Sequence, residues 1–214
     1  MVNQPRAADA RPFLFVGERP CIDFVNTSFV DGGEAVDLLS GFDALVDWCE
    51  QAQLVSTAEA REVRRRWNGS TEAASTHARA LTFRDVLRGM LDRLAAGRSV
   101  PQATLDAIND LLRLDTGQRE IVRVRDGYET RQRRSLDQPD HLLAAIAASA
   151  ARLLSGDDLS LVKACQNPQC VLFFYDTTKN HARRWCSMAA CGNRAKVAAH
   201  YQRARRSAPG KTSR

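Results

Sequence analysis

The sequence predicts an α+β chain: a mainly helical N-terminal domain with a short β-hairpin, residues 1–157, then a small cysteine-organised module, residues 158–214. Three observations predict it. Apolar residues recur at helical spacing through most of the first part. One stretch around Asp126-Gly127 switches to strand alternation. Four of the six cysteines fall in two close pairs after residue 160.

Residues 1–11, rich in Ala, Pro and Asp, read as a leader. The apolar runs at 13–16 and 21–25 are broken by Gly17 and Pro20. They read either as brief strands or as an extended segment feeding a helix. Asp31-Gly32-Gly33 marks a turn. Leu38, Leu39, Phe42, Leu45, Val46 and Trp48 then follow helical spacing, with Ser40 or Asp43 as cap. A second helix opens at Thr57, carries Ala58, Ala60 and Val63 inward, and ends at Asn68-Gly69. A long helix covers 71–96, with Leu81, Val86, Leu87, Met90, Leu91 and Leu94 on one face and Gly97 as its stop. Pro101 starts a fourth helix bearing Leu105, Ile108, Leu111 and Leu112. Ile121, Val122 and Val124, the Asp126-Gly127 turn and the stretch from Tyr128 make the hairpin. An alanine-rich fifth helix spans 142–154, and Ser155-Gly156-Asp157-Asp158 reads as the interdomain linker.

Hydrophobic residues make up 44% of the 214, enough for a core, which excludes a wholly disordered chain. No apolar run reaches the roughly 18 residues that a membrane span needs. The N-terminus lacks the long apolar stretch of a signal peptide, so a cytoplasmic protein is expected, with no membrane partner. In that reducing setting six cysteines point to metal or free thiols rather than disulfides. The net charge of +6 is uneven. Residues 161–214 hold eleven Lys and Arg against one acid, Asp176, which is +10, leaving −4 for residues 1–160. A strongly basic module suits a polyanion, with nucleic acid the commonest in cytoplasm. The other reading is a solubilising tail, although the basic residues are interleaved with the cysteines.

The spacing is Cys165-x4-Cys170, fifteen intervening residues, then Cys186-x4-Cys191. Two close thiolate pairs are what a tetrahedral zinc ion takes, so one structural Zn2+ is expected on Cys165, Cys170, Cys186 and Cys191. The turn-rich loop 166–169 and the β-rich stretch 171–175 suggest a knuckle on a hairpin. The second pair leads into a helical stretch at 194–206, giving a treble-clef or ribbon-like form. Free cysteines are the plain alternative, and His181 or His200 could replace one ligand. A catalytic zinc would keep an open position, often beside a Glu, and residues 158–214 contain no Glu. For so small a module the metal would contribute on the order of 10 kcal/mol of folding free energy. Cys21 and Cys49 read as buried, inert thiols.

The string Trp185-Cys186-Ser187-Met188-Ala189-Ala190-Cys191-Gly192-Asn193-Arg194 resembles the CGNR zinc finger, and Phe173, Asp176, Arg183, Arg184, Lys196 and Arg203 match it too. The N-terminal part resembles that finger's companion, the ABATE domain. Asp23-Phe24-Val25-Asn26-Thr27, Asp37-Leu38-Leu39 and Trp48 carry this second resemblance. Together they imply a bacterial, stress-induced transcription regulator whose finger binds DNA.

On that basis Arg183, Arg184, Arg194 and Lys196, pinned near the metal, are expected to carry the DNA affinity, with Arg203 on the following helix. Val197, Ala198 and Tyr201 would face the zinc core, with Met188 filling the space between ligands. Trp185 and Phe173 read as core rather than as base-stacking residues. Asp23, Asn26 and Thr27 have two readings: a structural cap, or the lining of a small-molecule pocket that makes the N-terminal domain an effector sensor. His77 and His141 are isolated. No nucleophile stands with a base and no phosphate loop occurs, so no enzyme activity is expected. An RNA- or protein-binding adaptor is the rival reading, and a homodimer would add the specificity that one short finger lacks.

Overall fold

The structure, a computed structural model, describes residues 13–114, 117–133 and 136–197. Arg203, with Ala198, His200 and Tyr201, lies outside the described residues.

At its centre is a helix of only six residues, α1 (Pro20–Val25), which Pro20 opens and whose other five residues are all buried. This decides between the two readings of 21–25. The segment before it is extended, and Gly17 is obligatory there: a Cβ on it would meet Ile22 Cγ2 at 2.7 Å and Asp23 Oδ1 at 2.9 Å. A hairpin follows, β1 (Ser28–Asp31) and β2 (Glu34–Asp37), turning at Gly32 and Gly33, both at positive φ. Helix α2 (Phe42–Gln51) starts later than its apolar spacing suggests, and neither Ser40 nor Asp43 caps it. The Asp37 carboxylate instead accepts the Leu39 N–H, holding 37–39 in a turn while Leu39 still reaches the core.

Helix α3 (Thr57–Trp67) begins with a capping box between Ser56 and Glu59, which satisfies two otherwise orphaned donors. Its inward residues are Ala60 and Val63; Ala58, expected inward, is exposed. Helix α4 (Thr71–Ala95) is the long strut and Gly97, at φ 66°, ends it. Its buried stripe includes Arg84 among Ala80, Phe83, Leu87 and Leu91. Helix α5 (Gln102–Leu112) and the ribbon β3 (Gln118–Val124) and β4 (Gly127–Arg133) fall where expected. Helix α6 (His141–Gly156) buries Ala144, Ala145, Ala147 and Ala150, small side chains that let it approach α1 closely enough for Ser149 Oγ to accept the Cys21 N–H.

One apolar core, around Trp48, Phe24, Leu45, Leu87, Met90, Leu142 and Ile146, unites these helices. The Phe24 and Trp48 rings lie 5.1 Å apart. Cys21 and Cys49 are buried in it, and desolvation pushes the Cys21 thiol up to about 11, keeping it protonated and inert. His77 bonds the Leu39 carbonyl and His141 is buried. Among the described residues no helix is long and apolar enough to cross a membrane.

The segment read as a linker is built into the fold. Ser155 and Gly156 are the last residues of α6, Asp157 pairs with Arg19 at 2.7 Å, and Asp158 caps a 3-10 turn, Leu159–Leu161. The chain then enters β5 (Val162–Ala164), paired antiparallel with β6 (Phe173–Tyr175). Phe173 and Tyr175 pack into the helical core, while Phe174, on the opposite face of the strand, packs among the cysteines.

Candidate metal centre

Alternation along β6 places one short strand in two cores, and its outer edge is finished by the N-terminal part. Gly17 O accepts the Tyr175 N–H. The Asn26 side chain donates Nδ2–H to Phe173 O at 2.9 Å and accepts the Phe173 N–H at 3.0 Å, mimicking a neighbouring strand. Arg88 of α4 donates to Val25 O, Ser28 O and Val171 O. Leu14, Val16 and Phe29 pack against the cysteine cluster itself.

Cys165 follows β5, and its N–H bonds Leu172 O across the knuckle. Asn167 shapes the loop: its Oδ1 accepts the Gln169 N–H, its carbonyl accepts the Cys170 N–H, and its Nδ2–H points at Cys191 Sγ, 3.3 Å away. The second pair is brought in by the strand-like stretch before Cys186, where Arg184 O accepts the Gln166 N–H. A π-helical turn, Met188–Gly192, then carries Cys191. The four Sγ atoms lie within 4.8 Å of one another. Cys186 Sγ is 3.7 Å from both Cys170 Sγ and Cys191 Sγ.

A tetrahedral ion with Zn–S of about 2.3 Å holds its sulfurs about 3.8 Å apart, so the cluster has the size of one zinc ion. Its surroundings agree. The Cys186 N–H points at Cys165 Sγ at 3.4 Å and the Asn167 amide at Cys191 Sγ, the type of donors that steady ligating thiolates. Without a cation the sulfurs compete for protons. A hydrogen bond from Cys186 draws the Cys170 thiol down to about 5, the same bond pushes Cys186 up, and burial pushes Cys165 up. Four crowded thiolates need a divalent cation, and four sulfurs saturate zinc, which suits a structural ion rather than a catalytic one. Cys165, Cys186 and Cys191 are buried and Cys170 half-buried. His181 sits apart, with Nδ1 3.2 Å from Asp176 O.

The other expected residues separate into distinct roles. Arg184 is exposed, its Nε–H bonded to Gln166 and its guanidinium 5.2 Å from the Trp185 ring centre. Lys196 is exposed, and the Arg194 side chain is 62% exposed, with Asp31 of the β1–β2 turn 3.9 Å away. Arg183 differs. Its guanidinium donates to Val16 O, Cys186 O and Trp185 O and stacks on Phe174 at 4.3 Å, so it braces the centre from inside. Met188, on the π-helical turn, and Val197, on the helical stretch after it, both expected in the zinc core, are 54% and 55% exposed. Trp185 packs against the cysteine cluster, and Phe173 belongs to the helical core.

Asp23, Asn26 and Thr27 are all buried and engaged with the protein, although none caps the next helix, whose N-cap is Gly41. Asp23 accepts the Gly17 N–H, Asn26 holds Phe173, and Thr27 bonds Phe24 O and accepts from Arg84. Sequence reasoning missed the pairing of the buried Arg84 with the exposed Asp37. Its signal was an arginine sitting in the apolar stripe of α4. It also gave no role to Asp176, which is 0% exposed and receives hydrogen bonds from Lys163, Thr178 and the Arg183 N–H. Burial alone would raise this carboxyl, but those donors together hold it well below the usual carboxylate range. As the only acid after residue 160, Asp176 is thus withdrawn from the surface, which is left to cations.

Two family models match the chain. One, ABATE, described as "Putative stress-induced transcription regulator", matches residues 18–157, and the CGNR zinc finger matches residues 162–204. No curated protein matches it.

Proposed function

Because the chain belongs to the ABATE family and carries a CGNR zinc finger, we propose that it is a DNA-binding transcription regulator whose zinc module grips the phosphate backbone. The observation that carries this reading is the charge arrangement around the metal centre. Arg184, Arg194 and Lys196 are exposed close to zinc ligands, while Asp176, the only acid after residue 160, is buried. Side chains rooted in a metal-braced backbone lose less freedom on binding, and guanidinium forks match phosphate oxygens. Arg183 supports the shape rather than the contact, and Arg203 extends the same basic sequence. The protein acts in the cytoplasm and is not an enzyme in this reading: zinc is structural, and the RNA- or protein-adaptor role becomes an outcome of the test.

For a sensor role the N-terminal domain offers a place other than the buried Asp23, Asn26 and Thr27. A groove of about 380 Å³ between α4 and α5, lined by Thr82, Phe83, Val86, Ala107 and Leu111, offers an apolar surface for an effector.

The test is fluorescence anisotropy with zinc-loaded protein on a mixed-sequence DNA duplex, a matched RNA duplex and single strands. The Arg184→Glu/Arg194→Glu variant with zinc retained should lose binding and flatten its salt dependence. Equal affinity of that variant and the parent refutes the reading, and preference for RNA favours the adaptor.

A further inference from the structure

The ribbon β3–β4 stands apart from both the helical core and the metal centre. It pairs residue for residue over seven positions, Gln118 opposite Arg133 through Val124 opposite Gly127, yet none of its described side chains belongs to either apolar core. Its two faces differ. On one, Val122 and Val124 are half-buried. On the other, Ile121 opposite Thr130 and Arg123 opposite Tyr128 are exposed, Ile121 at 75% and Tyr128 at 68%. Arg123 lies over the Tyr128 ring at 5.5 Å and donates to its hydroxyl, so the pair forms a cation-topped aromatic unit. Arg125 is exposed at the turn.

Its charge is unusual for its setting. Residues 117–134 hold six arginines against three acids, +3 in all. Since residues 1–160 sum to −4, the rest of that part is −7. A cationic ribbon on an otherwise acidic body, in a chain whose other cationic piece is the zinc module, complements a polyanion rather than a second copy of the same ribbon.

We propose that the exposed face of this ribbon, through Arg123, Arg125, Tyr128 and Ile121, is a second nucleic-acid contact that lies on duplex DNA together with the zinc module. The inference rests on the DNA-binding reading above. The dimensions suit it: seven residues at about 3.3 Å each span about 23 Å, close to seven base pairs, and a major groove about 12 Å wide admits a two-stranded ribbon. Arginines flanking the groove take phosphates, while Tyr128 and Ile121 present a surface that can pack on sugar or a thymine methyl.

Three proteins distinguish this from the parent reading: the unaltered chain, Arg123→Gln/Arg125→Gln, and the zinc-module variant Arg184→Glu/Arg194→Glu. Each is titrated with a 20-base-pair mixed-sequence duplex over a range of salt, with zinc content checked. The expected result is that the ribbon variant keeps zinc and loses about 1.8 from the slope of log K against log salt, two phosphate contacts at about 0.9 each. An unchanged slope and affinity for the ribbon variant, beside a weakened zinc-module variant, overturns the ribbon contact and leaves the DNA-binding reading standing. Failure of the unaltered chain to bind overturns both. Sedimentation of Ile121→Ser/Tyr128→Ser supplies the remaining arm: a fall from dimer to monomer mass would make this face a contact between copies and overturn the proposal, whereas unchanged mass with weaker DNA binding supports it.

Discussion

Replacing Asn26 with alanine tests whether the zinc module and the helical domain form one cooperative unit. The Asn26 side chain is fully buried and makes both a donated and an accepted hydrogen bond to the Phe173 backbone. Alanine removes both partners and leaves the Phe173 N–H and C=O in a place that water does not reach. Each such orphan costs about 1–3 kcal/mol, so a loss of about 2–6 kcal/mol is expected. For a chain of this size each kcal/mol lowers Tm by about 2–4 °C. Because Phe173 also packs in the helical core, the loss should appear in both halves at once. In a Trp67→Phe/Trp185→Phe background, where Trp48 is the one tryptophan, urea unfolding followed by fluorescence and zinc release followed with a chromogenic chelator should therefore shift together. A loss below about 1 kcal/mol, or faster zinc release with an unaltered Trp48 transition, would show that the two parts are independent and refute the reasoning.

Two further predictions follow from the site. Arg183→Ala should speed zinc release and cost about 3 kcal/mol or more, since charged hydrogen bonds to Val16 O, Cys186 O and Trp185 O are lost; a DNA contact alone would leave zinc release unchanged. Asp23→Asn should change the pH dependence of stability. Burial, opposed by the Gly17 N–H, raises this carboxyl to about 7, above its unfolded value near 4. Between these pH values the unfolded state is ionised while the folded state holds the proton. Asp23 therefore removes stability as pH rises through that window, up to about 4 kcal/mol by pH 8. The variant should be less destabilised than the parent between pH 5 and pH 8 in urea melts; identical slopes would refute the assignment.

Local chemistry determined much of this protein from sequence alone. Glycine stops and helical spacing located the long helices, because these signals act within a turn or two of the chain. The metal centre was legible for the same reason: two short loops each deliver two sulfurs, and the spacing carries the geometry. What the sequence did not carry was where polar side chains find partners far along the chain. Asn26 and Phe173 are 147 positions apart, and nothing local in either says that an amide will finish the edge of a strand. Arg183 looked like a DNA contact because arginines beside a metal usually face solvent, but the extended segment around Val16 closes over it. The π-helical turn, which no periodicity announces, turned Met188 outward. The tertiary structure decided which cations are braces and which are free, because burial of a charge depends on what the rest of the chain brings against it.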